Sequence, residues 1–81
     1  MKDRTPVKID VWRDHYGKAD WSVSLCNEAG DEITCLGGED TLSEAWDLAS
    51  DLADEHCVPA FAIYESGEVM NGYEYHPEKS E

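Results

Sequence analysis

Residues 41–57 read TLSEAWDLASDLADEHC, and the spacing within this stretch decides what the rest of the chain must build. Thr41-Leu42-Ser43-Glu44 is a capping box: the Thr41 hydroxyl can accept from the Glu44 amide, and the Glu44 side chain can reach back to the cap. Leu42, Ala45, Trp46, Ala49, Leu52 and Ala53 then recur at helical spacing and form one apolar face. Glu44, Asp47, Asp51, Asp54 and Glu55 occupy the opposite side. Pro59 disfavours a helical conformation at Val58, so the helix is expected to stop near Cys57. A lone helix with one apolar face must lie on something, and the flanking segments supply a sheet.

Before the helix, Val7, Ile9 and Val11 alternate with Lys8, Asp10 and Trp12, which is strand periodicity. Residues 13–19 are polar, carry Gly17 and read as a loop. Trp21, Val23 and Leu25 alternate with Ser22, Ser24 and Cys26 to give a second strand. Asn27-Glu28-Ala29-Gly30-Asp31 suits a type I turn closed by Gly30 in the left-handed conformation. With a three-residue loop, Leu25 faces Ile33 and Val23 faces Cys35, and the apolar faces of both strands agree. Gly37-Gly38 ends the third strand.

After the helix, Phe61-Ala62-Ile63-Tyr64 reads as a fourth strand, Glu65-Ser66-Gly67-Glu68 as a tight turn and Val69 to Tyr75 as a fifth strand. The expected architecture is α+β, in the order βββαββ: one antiparallel-rich sheet with one amphipathic helix on one face. Phe61, Ile63 and Met70 are expected in the core. If the last turn has two residues, Tyr64, Val69, Asn71, Tyr73 and Tyr75 share the opposite, more open face.

The chain has 81 residues, enough for a single domain with an ordered core over residues 7–75 and a frayed tail at 76–81. Its 19 Asp plus Glu against 6 Lys plus Arg give a formal net charge of −13. That balance excludes direct binding to a nucleic-acid backbone or an anionic membrane, both of which require a basic surface. A hydrophobic content of 41% with three Trp and four Tyr argues equally against a disordered acidic tail. The charge is also unevenly placed, with 15 carboxylates and no Lys or Arg between Ala19 and Glu78. That stretch cannot neutralise itself, so its charge must face water or a partner, at a cost in self-repulsion. No apolar run reaches the length of a membrane span, and the charged start is followed by no apolar signal region, so a cytoplasmic location is expected. Three irregularly spaced cysteines make no disulfide framework, and reduced thiols are expected.

Trp21-Ser22-Val23, Thr41-Leu42-Ser43-Glu44-Ala45, Ala49 and Ser66-Gly67-Glu68-Val69 resemble small bacterial and phage domains of unassigned function, built from a hairpin, one helix and returning strands. The resemblance covers roughly residues 7–75; it implies the fold and transfers no active site. In length, acidity and absence of catalytic motifs the chain is also similar to phage-encoded anti-CRISPR proteins of the DNA-mimic type, a likeness of physical character. It implies a protein that occupies the DNA-recognition surface of a CRISPR effector complex.

The acidic side of the helix is the leading candidate site. Glu44 to Glu55 spans roughly 16 Å at helical rise, a row of charge comparable to a few phosphates along one strand. Glu28, Asp31, Glu32, Glu39 and Asp40 are expected to extend it around one end. A basic groove that tracks nucleic acid would attract such a row, with fast and salt-sensitive association. Two plainer readings compete: a solvated helix face, or salt adaptation, against which Lys outnumbers Arg four to two. A different class of function is a small adaptor or antitoxin-like module anchored by Trp12, Tyr64, Tyr73 and Tyr75 on the sheet face away from the helix, with acidity serving solubility. A homodimer through that face or through strand edges fits the same pattern. Cys26, Cys35, Cys57, His15, His56 and His76 form no metal-binding spacing, with Cys26 and Cys35 expected on opposite faces of their hairpin. Neither a metal nor another cofactor is expected. No nucleophile elbow, phosphate loop or H-E-x-x-H occurs, so the chain does not read as an enzyme.

Overall fold

The computed structural model describes residues 5–13 and 20–77. Alternating side chains build β1 (Lys8–Arg13) and β2 (Trp21–Cys26), followed by β3 (Glu32–Glu39), α1 (Leu42–His56), β4 (Ala60–Ile63) and β5 (Val69–Tyr75). The strands form one mixed sheet in the order β3-β2-β1-β4-β5, with α1 packed on it. The fold is α+β with the element order βββαββ. Three of the four pairings are antiparallel; β1 and β4 run parallel, because α1 carries the chain back across the sheet before β4 starts. Arg13, expected in the loop, extends β1, and the rest of that loop (14–19) lies outside the described residues, as do tail residues 78–81.

The helix ends follow the local chemistry. Thr41 is extended, and its hydroxyl accepts from the Glu44 amide at 3.2 Å. The same hydroxyl donates to Glu44 Oε1 at 3.0 Å, so the Glu44 carboxylate meets the capping side chain. At the other end Cys57 turns left-handed at φ 57° and donates to the Ala53 carbonyl, to which the Val58 amide also donates at 3.1 Å. This doubly bonded exit leaves Pro59 outside the helix and buries Val58 beneath it.

The core lies between α1 and one face of the sheet. Ile9, Val11, Val23, Ala60 and Ala62 from the strands and Ala45, Ala49 and Ala53 from the helix are all fully buried. Alanines on both sides let the helix axis approach the sheet closely. Ile9 pairs with Ala60 and Val11 with Ala62. Partners in register face the same way, so Ala60 and Ala62 lie under the helix. Phe61 and Ile63, expected in the core, therefore fall on the opposite face, half-buried. Met70 does pack against the core.

Both outer pairings are irregular, and each corrects an expected register. The Asn27–Asp31 turn forms as anticipated, with Gly30 at φ 88° donating to the Asn27 carbonyl at 3.0 Å. Beyond it, however, β3 carries two bulges, so that Leu25 pairs with Thr34, Ser24 with Cys35 and Val23 with Gly37. Ile33 and Leu36 are the extra residues, and Cys35 stands opposite Ser24 instead of Val23. The Tyr64–Glu68 turn repeats the first one: Tyr64 N–H donates to the Glu68 carbonyl at 2.8 Å and Gly67, at φ 93°, to the Tyr64 carbonyl at 2.8 Å. It is a three-residue loop, so the facing that a two-residue turn would give does not apply. Phe61 then pairs with Glu74 but Ile63 with Val69, so β5 advances five residues while β4 advances two. Gly72, at φ 87°, sits in this bulge. The shift turns Tyr73 and Tyr75 to the helix side.

Candidate functional site

All five acids of the helix row, Glu44, Asp47, Asp51, Asp54 and Glu55, are exposed, while Ala45, Ala49 and Ala53 are buried on the other side. Two of the five also serve the fold. Glu44 completes the cap, and Asp54 Oδ1 accepts from the Tyr75 hydroxyl at 2.7 Å. Among the described residues no cation pairs with any of the five; the Lys8–Asp10 pair lies on the other face of the sheet. Asp54 and Glu55 stand in the last turn, where the helix dipole disfavours negative charge, so helix stability does not account for them.

The loop acids do not gather at one end of this row: only Glu39 and Asp40 adjoin it there. Glu39 pairs with Trp21 and Glu32 with Cys26, at opposite ends of β2 and about 17 Å apart. Glu39, half-buried, and Asp40, exposed, adjoin the helix N-terminus. Glu28 and Asp31 sit on the exposed β2–β3 turn at the other end of the sheet. Glu32 belongs to the helix-free face, where its Oε1 accepts from the Ser24 hydroxyl at 2.7 Å.

The four aromatics proposed as a second surface do not share a face. Tyr73 meets Trp46 of the helix edge-on, with ring centroids 5.4 Å apart, and Tyr75 reaches Asp54, so both belong to the helix side. Trp12 lies on the helix-free face, its indole N–H donating to Ser24 Oγ at 3.0 Å. Tyr64 stands exposed at the last turn, beside a cleft of about 410 Å³ formed with Arg13, Trp21, Ile63 and Met70.

Sequence reading missed a polar cluster on that helix-free face. Asp10 is buried in the central strand, and its Oδ2 accepts from Lys8 Nζ at 3.3 Å and from the Cys26 thiol at 3.6 Å. Asp10 Oδ1 is buried with no hydrogen-bond partner. Burial, together with the Asp10 charge and hydrogen bond, pushes the Cys26 thiol from 9.0 up to about 11, which keeps it protonated and unreactive near neutral pH. A cavity of about 230 Å³ is lined by Asp10, Trp12, Ser24, Cys26 and Glu32. A second, of about 280 Å³, is lined by Lys8, Asp10, Phe61 and Val69. The available signal was weak: aspartate is depleted within strands, but Asp10 falls at a polar position of the alternation, where a solvated side chain is the ordinary expectation.

Cys26 is buried, and Cys35 and Cys57 are exposed free thiols. Through its pairing with Ser24, Cys35 shares the Cys26 side of the hairpin, contrary to expectation. His15 lies outside the described residues, His56 is exposed in the last helical turn and His76 contacts Glu74. Among the described residues no group of three or more His, Cys, Asp or Glu is placed to hold a metal ion. No helix among them is long and apolar enough to cross a membrane. Comparison with known proteins finds no matching family model, no matching curated protein and no matching solved structure.

Proposed function

We propose that this protein is a binding inhibitor that acts by charge mimicry. Its helix row occupies a Lys/Arg-lined groove on a nucleic-acid-binding protein and competes with DNA for it. The most specific form of this reading is a phage-encoded anti-CRISPR protein that blocks DNA recognition by a CRISPR effector complex in the host cytoplasm. One observation carries it: an ordered row of exposed carboxylates about 16 Å long, with no cation paired to it among the described residues. Ordinary surfaces intersperse both signs of charge, whereas this one tolerates the self-repulsion. Glu44, Asp47, Asp51, Asp54 and Glu55 are the core of the proposed interface. Glu39 and Asp40 continue it past the helix N-terminus, and Glu28, Asp31 and Glu32 stand apart from it.

Asp47, Asp51 and Glu55 are the acids to reverse, because none of them caps the helix or accepts from Tyr75. The variant Asp47→Lys/Asp51→Lys/Glu55→Lys is expected to keep its circular dichroism spectrum. It is also expected to lose inhibition of DNA binding in mobility-shift assays with a panel of purified CRISPR effector complexes and other basic DNA-binding proteins. Inhibition by the parent chain is expected to collapse at high salt. Equal inhibition by parent and variant would refute mimicry, as would a panel on which the parent inhibits nothing.

A further inference from the structure

We propose that the cavity over Asp10 is a binding site for a single organic cation, a guanidinium or an alkylammonium group, on the sheet face that the helix leaves uncovered. The direction of the hydrogen bonds on this face defines the ligand. Trp12 Nε1 donates to Ser24, and Ser24 donates in turn to Glu32 Oε1. Lys8 Nζ and the Cys26 thiol both donate to Asp10 Oδ2. The donors that line this cavity, the Trp12 indole, the Ser24 hydroxyl and the Cys26 thiol, are spent, the remaining N–H groups of Lys8 belong to the neighbouring cavity, and the two chains of hydrogen bonds end on carboxylates, which only accept. What remains in the cavity is capacity to accept.

The Asp10 side chain is only 10% exposed, and its second oxygen has no partner. A buried carboxylate oxygen left unpaired is destabilising, and native folds retain such groups rarely. The Asp10 carboxylate turns about a broad sp³–sp² torsion, so a modest rotation presents Oδ1 to the cavity. Glu32 lines the same space from the other side of β2, and Trp12 adds an aromatic wall against which a cation is favoured. At about 230 Å³ the cavity has room for one side-chain head group. Lys8 does not fill this role, because it lines the neighbouring cavity and approaches Asp10 through Oδ2.

The site is independent of the helix row, and its test separates the two. Two probes, N-acetyl-arginine amide and spermidine, are titrated into isotopically labelled protein at fixed ionic strength, reading the Trp12 indole N–H and the Asp10 and Cys26 amides. A saturable shift at these positions is expected in the parent. It should also persist in the Asp47→Lys/Asp51→Lys/Glu55→Lys variant, which has lost the helix row. Asp10→Asn and Glu32→Gln are each expected to weaken binding at least about tenfold, as loss of a charged acceptor requires. Tighter binding of the arginine amide assigns the site to a partner's side chain, and tighter binding of spermidine to a free polyamine; either supports it. Where Asp10→Asn does not fold, Glu32→Gln decides alone. No saturable shift, or shifts that survive in the folded variants or vanish with the helix reversal, would overturn the proposal.

Discussion

The two faces of the sheet bury side chains by opposite means. Beneath α1, Ile9, Val11, Val23, Ala60 and Ala62 meet the helix alanines with no polar group among them. On the other face two of the same strands, β1 and β2, bury Asp10, Ser24 and Cys26 without a helix to cover them. The first face is what a small domain needs in order to fold. The second is maintained against that need, since burying a carboxylate with one unpaired oxygen opposes folding. The fold thus keeps its apolar packing on one face and its costly polar groups on the other, which is the placement that motivates the cation-site proposal.

Cutting into the helix-covered face should give the largest effect. Ile9→Ala removes a fully buried side chain from the central strand and is expected to destabilise by about 2–5 kcal/mol, read from urea unfolding. For a domain this small, such a loss leaves much of the population unfolded. A change below about 1 kcal/mol would mean that the helix and sheet collapse onto the gap, and that this face is less tightly specified than its alanines imply.

The polar face contributes a pH dependence that the apolar one lacks. With the Cys26 thiol raised to about 11 in the fold and at 9.0 when unfolded, only the unfolded chain loses this proton as pH rises past 9. Stability should therefore fall between pH 9 and about 11, by on the order of 2 kcal/mol, and be insensitive to this group below that window. Cys26→Ser keeps a donor facing Asp10 but does not titrate there. Parallel alkaline stability curves for parent and variant would show that burial does not hold the thiol neutral.

The smallest effect is the most telling in sign. Asp10→Val replaces the incompletely paired carboxylate with a strand-favouring apolar residue, and is expected to stabilise by about 1 kcal/mol while abolishing cation binding. A clear loss of stability, measured by the same urea unfolding, would instead show that Lys8 and Cys26 make Asp10 a structural support.

How much of this was legible in the sequence depends on how local the signal is. The helix, its Thr41 cap, its end at Cys57 and the Asn27–Asp31 turn all rest on interactions within a few residues, and each forms. The helix acids were legible for the same reason, since 3.6-residue spacing places them without knowledge of the sheet. The facing of β4 was not, because it follows from parallel pairing with β1, far away in the chain. Nor were the bulges in β3 and β5, which no alternation pattern announces and which moved Cys35, Tyr73 and Tyr75 to unexpected sides. Asp10 was visible only as a polar member of an alternating strand. Its burial became evident only once β2 and β4 flanked it on both edges.

The parallel pairing of β1 with β4 also orders events during synthesis. As the chain emerges from its N-terminal side, β1 can close on β2 early, but its other edge has no partner until Ala60–Ala62 appear, about fifty residues after Ile9. The residues of the helix that shields Ile9 and Val11 are made before that, and the polar row of Lys8, Asp10 and Trp12 is half-framed throughout. Contacts so distant in the chain slow folding. A nascent molecule must therefore carry an unfinished central strand until nearly all of its sheet has been made.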